Sequence, residues 1–378
     1  MTSRERIDAL LAAEGIVLTR VAPAVALPQA RIAATTALDS GYLDGMDWIT
    51  AAWLSRSTDA TQFLRGARSV ILVALPYHSP DPAPPGDGVT RGRIARYARG
   101  RDYHRVFEKA LRRVAKQIRQ EFDAGARPTV DYGPLLERSY AATAGLGWLG
   151  KSTMLLVPGL GPWVLLGAIA TTVDLPPDAP LLKSCGSCVR CIVACPTGAI
   201  DSRGNVLDAR RCISYHTIEN RGPIPRELRA RFGDWIFGCD LCLDACPVGR
   251  SRFDTHPDFT PSNIEAAFPV LRDLLLLDDD AFSAMFRGRP IMRAKRDGLL
   301  RNVCVALGNV GTLDDVPALE RALADRSPLV RGHAAWALSN LAGRLGNPDA
   351  VRARLANHVD ADAFVRDEVA AALNALPG

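Results

Sequence analysis

No run of apolar residues in this 378-residue chain is long enough to cross a bilayer. The longest stretch, Trp163 to Val173, falls well short of the roughly 20 residues that a spanning helix needs. The N-terminal residues have no apolar signal core, no small-residue cleavage site and no twin arginines. These absences predict a soluble cytoplasmic protein with no membrane partner. Nucleotide chemistry is not signposted either: no G-x-G-x-x-G follows a strand pattern, and no Walker loop occurs. Hydrophobic residues make up 48% and charged residues 23%, with a net charge of +5, which excludes a disordered or fibrous chain. The chain does have cysteine, concentrated in one place. Eight of its nine cysteines fall between 185 and 246, and only Cys304 lies outside. In a reducing compartment such a cluster points to metal ligation or redox chemistry rather than to disulfides.

At about 100–200 residues per domain, the length predicts two or three domains. The pattern divides into a mixed α/β region over 1–175, a cysteine-rich region over 176–260 and a helical region over 261–378, an α+β multidomain chain. In the first region, Arg4–Ala13 and Tyr103–Ala124 have helical periodicity, while Ser69–Leu75 and Trp163–Val173 read as buried strands. Pro80–Gly88 reads as a loop and Asp174–Pro180 as a linker. In the last region three similar helix cores recur: Val303–Leu307, Ala334–Leu338 and Val369–Leu373. Their spacings fit paired-helix repeats of the HEAT kind, with Asp315–Leu323 as a partner helix. A plain helical bundle is the simpler alternative. Cys304 sits at a core position of the first repeat and reads as a small buried hydrophobe.

The run Cys185-x2-Cys188-x2-Cys191-x3-Cys195-Pro196 has bacterial ferredoxin spacing. A second run, Cys239-x2-Cys242-x3-Cys246-Pro247, repeats its end; the earlier cysteine is replaced by Ile236, and Cys212 can supply the ligand. The crossover rule of two-cluster ferredoxins predicts one [4Fe-4S] cluster on Cys185, Cys188, Cys191 and Cys246. The other takes Cys195, Cys212, Cys239 and Cys242. Zinc would need only C-x2-C pairs and leaves both Cys-Pro endings unexplained. Two such clusters move single electrons and imply a second redox centre nearby.

Other segments are ambiguous alone. Gly145-Leu-Gly-Trp-Leu-Gly-Lys-Ser152 can bind phosphate or make a tight turn. Asp131, before Gly133-Pro134, can be a turn-capping residue. Residues 91–119 hold eleven Arg and Lys against two acids, and 287–301 hold six against one. Such runs are ordinarily solvated helix faces, though two of them around a redox core also suit a polyanion.

In combination these segments resemble the epoxyqueuosine reductase family. The resemblance rests on Ala95–His104, Asp131-Tyr-Gly-Pro-Leu-Leu-Glu-Arg138 and Gly145–Ser152, then the two ferredoxin runs, then Arg293–Arg296, Gly298–Asn302 and the terminal repeat. It covers essentially the whole chain. It implies an α/β cobalamin-binding catalytic domain, a ferredoxin-like two-cluster domain and a HEAT-like tRNA-binding domain. The implied reaction reduces epoxyqueuosine to queuosine at the wobble position of tRNA. The base-on signature D-x-H-x-x-G is absent, because Asp102-Tyr-His104 is followed by Arg105-Val-Phe; this agrees with base-off cobalamin.

The resemblance makes Asp131 the proton donor. That role asks for a raised pKa, which burial against a corrin face would provide. Arg56, Tyr97, Tyr103, His104, Lys151, Ser152, Ser214, His216, Cys239 and Asp240 are candidate cofactor contacts. Glu137 and Arg138 read as residues that support the site from behind or are purely structural, an Arg–Glu pair being ordinarily a salt bridge. Arg287, Arg289, Arg293, Lys295, Arg296 and Arg301 are candidate contacts to the tRNA anticodon stem-loop, whose target base would be turned outwards. An external electron donor and a monomeric state are expected. Two other classes stay open: a reductive dehalogenase-like reductase of a small molecule, and a non-catalytic electron-transfer protein.

Overall fold

The computed structural model describes residues 1–83, 86–249 and 255–377. Positions 84 and 85 of the expected loop and 250–254 of the cysteine-rich region lie outside the described residues. The chain forms two compact units, each assembled from separate stretches of sequence. One comprises Met1–Ser79, Arg101–Arg210 and Asp240–Thr260; the other comprises Pro80–Gly100, Arg211–Cys239 and Pro261–Gly378.

The first unit is built on a four-stranded sheet in the order Leu18–Pro23, Ser69–Pro76, Val164–Thr171, Ala126–Thr129. Every neighbouring pair is antiparallel, with Val21 opposite Ile71, Ile71 opposite Ile169, and Pro128 opposite Ile169. The two central strands are nearly continuous in Val, Ile, Leu and Ala and are buried on both faces, as such runs require. Ala126–Thr129 is an edge strand, where Pro128 loses no ladder bond for want of an N–H. The helix Tyr103–Phe122 packs on it through Tyr103, Phe107, Leu111, Val114 and Ile118, which are buried on one helical stripe. Edge strand and helix N-terminus together carry the candidate site.

The second unit contains the terminal helices Lys295–Val310, Val316–Ala322, Pro328–Leu345, Pro348–Ala356 and Ala363–Ala375. The three expected repeat cores lie on the first, third and fifth of these. The first and third cross closely at Gly308, where a Cβ would stand 2.8 Å from the Trp336 ring. Cys304 is fully buried in this core, and burial pushes its thiol up out of the titrating range. A short parallel pair, Arg93–Ile94 with Trp235–Phe237, lies against the same core. Among the described residues no helix is long and apolar enough to cross a membrane.

Candidate functional site

The edge strand runs straight into the Asp131 loop, and its turns explain the D-x-G-P pattern. Asp131 has a left-handed φ of 61°, and Tyr132 N donates to Val130 O at 2.7 Å. Together these have the hydrogen-bond pattern of a γ-turn with positive φ, a rare and strained form. A non-glycine residue held this way costs on the order of 1–3 kcal/mol and persists only when its surroundings over-determine it. Gly133 is required sterically, since a Cβ there would lie 1.9 Å from Thr129 Oγ1.

The first turn of the Tyr103–Phe122 helix supplies the partners of the Asp131 carboxylate. The Tyr103 hydroxyl donates to Asp131 Oδ2 at 2.5 Å, and His104 Nε2 lies 3.6 Å from the same oxygen. Asp102 caps the helix by accepting His104 N at 3.1 Å and also takes His104 Nδ1 at 2.8 Å. The His104 and Tyr103 rings stack with centroids 4.0 Å apart. Helix capping thus places an Asp–His–Asp chain beside the turn.

The Asp131 carboxyl sits in a depression: protein atoms crowd round it, yet its side chain remains 61% exposed to water. Crowding acts to raise its pKa, but the close His104 ring, the Tyr103 hydrogen bond and then the Arg138 charge outweigh this and hold it at about 2. This is opposite to the expected rise, because the protein's own donors stabilise the carboxylate. His104 is pushed up to about 9: burial lowers it, and bonds to Asp102 and Asp131 raise it more. At neutral pH the proton of this chain therefore resides on His104.

Glu137 stands behind Asp131, without the ion pair expected of it. It begins the helix Glu137–Thr143, is buried, and accepts the Asp131 backbone N–H on Oε1 at 2.9 Å. Burial, then the Asp131 charge, pushes its carboxyl up to about 8. The expected Glu137–Arg138 ion pair does not form; Arg138 is exposed and donates to Thr153 O at 3.4 Å. Sequence reasoning assigned the adjacent acid and base to each other because it had no view of which way the helix faced.

In the same unit, Cys185, Cys188 and Cys191 precede Cys195, and the helix Leu241–Asp244 before Cys246 packs against Arg190–Ala194. All eight clustered cysteines are half-buried and none forms a disulfide. Burial raises the Cys191 thiol, and the charges of Cys185 and Cys246 add to this. Burial also raises Cys246, and Cys185 and Cys188 add to it. Thiols close enough to raise one another in this way fit a cationic iron–sulfur core. Backbone N–H groups of Lys151 and Ala199 point to Cys185 Sγ at 3.4 Å and Cys195 Sγ at 3.3 Å, as cluster thiolates favour. Among the described residues no three His, Cys, Asp or Glu side chains converge on a single-ion site.

The GWxGK segment therefore serves the cysteine loop. Lys151 Nζ donates to Gly186 O at 2.8 Å and its stem lies along Gly204; Ser152 beside it is buried. Arg56 is exposed at the end of the helix Ala51–Ser57, and Asp240 is buried.

In the second unit, Cys212 caps the helix Ile213–Ile218, and Cys239 follows the strand Trp235–Phe237. The Gly298–Asn302 segment clamps both. Asn302 Nδ2 donates to Thr217 O and Ile236 O, each at 2.9 Å, and Arg301 donates to the carbonyls of His216, Asn220 and Gly222. His216 is buried with Nδ1 3.0 Å from Asn220, Ser214 is half-buried, and Tyr97 packs against Phe237.

Three of the six arginine and lysine candidates for tRNA turn inwards. Arg289 donates to Arg99 O and Ala266 O, Arg296 pairs with Asp325 at 2.5 Å, and Arg301 is fully buried. These corrections share one cause: long cationic side chains satisfied the carbonyls and acids of the helical core, which charge counting cannot see. Arg287, Arg293 and Lys295 are exposed, with Arg293 also paired to Glu219.

Three family models match the chain. They are described as a 4Fe-4S double cluster binding domain over residues 184–249, Epoxyqueuosine reductase QueG, DUF1730 over 58–132, and HEAT repeats over 290–374. The first span holds all eight clustered cysteines. The epoxyqueuosine reductase of Xanthomonas campestris pv. campestris is 40% identical over 308 residues, covering 80% of this chain and 86% of that protein. That of Escherichia coli is 38% identical over 306 residues, covering 80% of each. A crystal structure of epoxyqueuosine reductase with an epoxyqueuosine-modified tRNA stem loop superimposes with a TM-score of 0.90 at 27% identity, covering 99% of this chain and 98% of that one. Another, from Bacillus subtilis, has its catalytic aspartate loop swung out of the active site; its TM-score is 0.89 at 27% identity, covering 99% of each chain. The chain belongs to the epoxyqueuosine reductase family.

Proposed function

We propose that this chain reduces epoxyqueuosine to queuosine at the wobble position of tRNA in the cytoplasm, with base-off cobalamin as the reaction centre and two [4Fe-4S] clusters as its electron supply. Family membership carries this reading, and the Asp131 turn gives it chemistry. Loss of the epoxide oxygen takes two electrons and two protons, forms the alkene and releases water. Bound cobalamin would supply reducing equivalents at the epoxide carbon.

His104 would be committed to its carboxylates rather than to a cobalt, since its two nitrogens face Asp102 and Asp131. His104, which holds the proton at neutral pH, passes it through Asp131 to the developing alkoxide, where ring opening makes a base strong enough to take it. Solvent then reprotonates His104 for the second proton, and Asp102 holds the imidazole in orientation. Tyr103 fixes the receiving oxygen. Arg56, Tyr97, Ser152, Ser214, His216, Cys239 and Asp240 are assigned to the surroundings of the corrinoid, and Lys151 to the Cys185 loop.

The cluster assignment follows the crossover pattern: Cys185, Cys188, Cys191 and Cys246 for one, and Cys195, Cys212, Cys239 and Cys242 for the other. The nearness of Cys185 to Cys191 and Cys246, and of Cys188 to Cys246, supports the first set. Arg287, Arg293 and Lys295 are assigned to tRNA phosphates. A monomer fed by an external donor satisfies all of this.

The test is anaerobic purification with corrinoid supplied, analysis for iron, sulfide and cobalt, and then turnover of epoxyqueuosine-containing tRNA with a strong reductant. Bound cobalt, bound clusters and queuosine formation are expected, with Asp131→Ala keeping the cofactors and losing turnover. Failure to bind cobalt at saturating corrinoid overturns the proposal.

A further inference from the structure

We propose that Glu137 is a positioning residue of the proton-delivery site: its buried carboxyl accepts the Asp131 backbone N–H and fixes the left-handed turn that presents the Asp131 carboxylate. This rests on the reading of Asp131 as proton donor.

Several observations converge. Asp131 is a non-glycine residue at φ 61°, a conformation that needs external support. Its N–H has a hydrogen bond to Glu137 Oε1 at 2.9 Å, six residues further on and across the turn. The intervening backbone is a chain of tight turns, Tyr132 N to Val130 O, Leu135 N to Gly133 O and Glu137 N to Leu135 O. Each of these spans only three residues, whereas the Glu137 carboxyl makes a hydrogen bond that ties the start of the loop to its end. The loop's own residues Tyr132 and Arg138 point to solvent, while Glu137 points into the fold.

The buried carboxyl also has to avoid competing with Asp131. A second negative charge at this distance would draw protons to Asp131 and disturb the pair with His104. Burial solves this by favouring the uncharged acid at neutral pH. The groups that face Glu137 agree with that state. Asp131 is the nearest charge, and Arg138 on its own helix is its exposed counterweight. Tyr103, His104 and Asp102 act on it through Asp131. Of the strands packed on the Glu137–Thr143 helix, Ser69–Pro76, Val164–Thr171, Trp148–Leu149 and Leu155–Leu156 have no titratable side chain, and Leu18–Pro23 has only Arg20, which is exposed and donates to Thr19 O. A neutral acid is then an acceptor for the Asp131 N–H without being a rival base, and glutamine is its closest mimic.

The experiment compares wild type with Glu137→Gln, Glu137→Met and Asp131→Asn in enzyme loaded with clusters and corrinoid. Met fills the same space without an acceptor, so the fold keeps its packing. Two readouts are taken: kcat and KM for the epoxyqueuosine-modified stem-loop, and amide exchange across 130–137 in protein without substrate. The expected result is a fall of tenfold or more in kcat for Glu137→Met at unchanged KM, with faster exchange at Asp131. Glu137→Gln restores both towards wild type. Wild-type kcat and wild-type exchange in Glu137→Met, in a preparation where Asp131→Asn is inactive, overturn the inference. Full turnover by Asp131→Asn would instead overturn the proton-donor reading, and the exchange data alone then decide whether Glu137 holds the turn: faster exchange in Glu137→Met supports that role, and wild-type exchange ends it.

Discussion

His104 Nε2 lies 3.6 Å from Asp131 Oδ2, and of the two groups it is His104 that holds the proton at neutral pH. A delivery site built this way depends on the imidazolium, whose pKa is raised to about 9. The charged form is complete well below that pH and is lost as pH rises through it. Turnover by the reconstituted enzyme should therefore decline above about pH 9. His104→Gln keeps a hydrogen-bonding side chain and removes the titration, so it should lower kcat by tenfold or more and abolish that alkaline limb, proton transfer steps being worth about 10²–10⁴ in rate. A pH–rate profile of the two enzymes checks this; an identical limb in the variant removes His104 from the relay.

The Asn302 amide spans the two segments that carry Cys212 and Cys239, through Thr217 O and Ile236 O. Asn302→Leu fills the space and leaves both buried carbonyls without their donor, at about 1–3 kcal/mol each. The segments loosen where Cys212 and Cys239 must hold their place. The variant should stay folded and lose about half of its iron and sulfide on anaerobic purification, with Asn302→Asp losing as much, since a carboxylate cannot donate. Full iron content in Asn302→Leu would show that the clamp is dispensable for the cluster.

Much of this was legible in the chain, for reasons that can be named. The cysteine spacings, the repeat cores and the strands at Ser69 and Trp163 are local patterns, and the observed elements Ser69–Pro76, Val164–Thr171 and Lys295–Val310 follow them closely. Asp131 and His104 were candidates, but their joint protonation was not, because it depends on the helix cap that sets His104 between Asp102 and Asp131. Glu137 was legible as a supporting residue, but its partner was not, for the same reason. Its neighbour in sequence is a cation, while its partner in space is a backbone N–H six residues back. The arginines show the opposite error. Arg296 and Arg301 looked like a basic patch, but their helix is enclosed almost all round, with Arg296 and every residue from 298 to 308 buried. A local charge count is blind to that enclosure.

His333 offers a stability test of the repeat core. It is fully buried, its Nε2 accepts Ile224 N at 3.1 Å, and its Nδ1 faces Leu329 O at 2.7 Å, so both ring nitrogens are satisfied in the neutral form. Burial, then the Arg229 and Arg301 charges, hold its pKa well below the ordinary histidine value. The unfolded chain binds a proton that the fold refuses. Stability from this source is therefore complete above an unfolded pKa of about 6.5 and is lost as pH falls below it, by up to about 1.4 kcal/mol per unit. Denaturant midpoints at pH 7 and pH 5 should converge more in His333→Gln than in wild type, and equal pH slopes would show that the histidine does not carry the effect.

The division of the basic stretch into outward and inward side chains gives two sets of variants with different phenotypes. Arg287, Arg293 and Lys295 are exposed, so each can meet a phosphate, and each phosphate neutralised contributes about 0.9 to the dependence of log affinity on log salt. Changing all three to glutamine should lower that slope by about 2–3 for the anticodon stem-loop and leave the melting temperature near wild type. Arg296 is held by Asp325 with both side chains under 10% exposed, and removing one partner of such a buried pair costs about 3–5 kcal/mol. Arg296→Gln should therefore lower the melting temperature and leave the salt slope unchanged at temperatures where the variant is folded. Fluorescence titration of a labelled stem-loop over a salt series, paired with thermal melts, separates the two. A salt slope that falls with Arg296→Gln, or stays fixed in the triple variant, would reverse the assignment of which cations face the RNA.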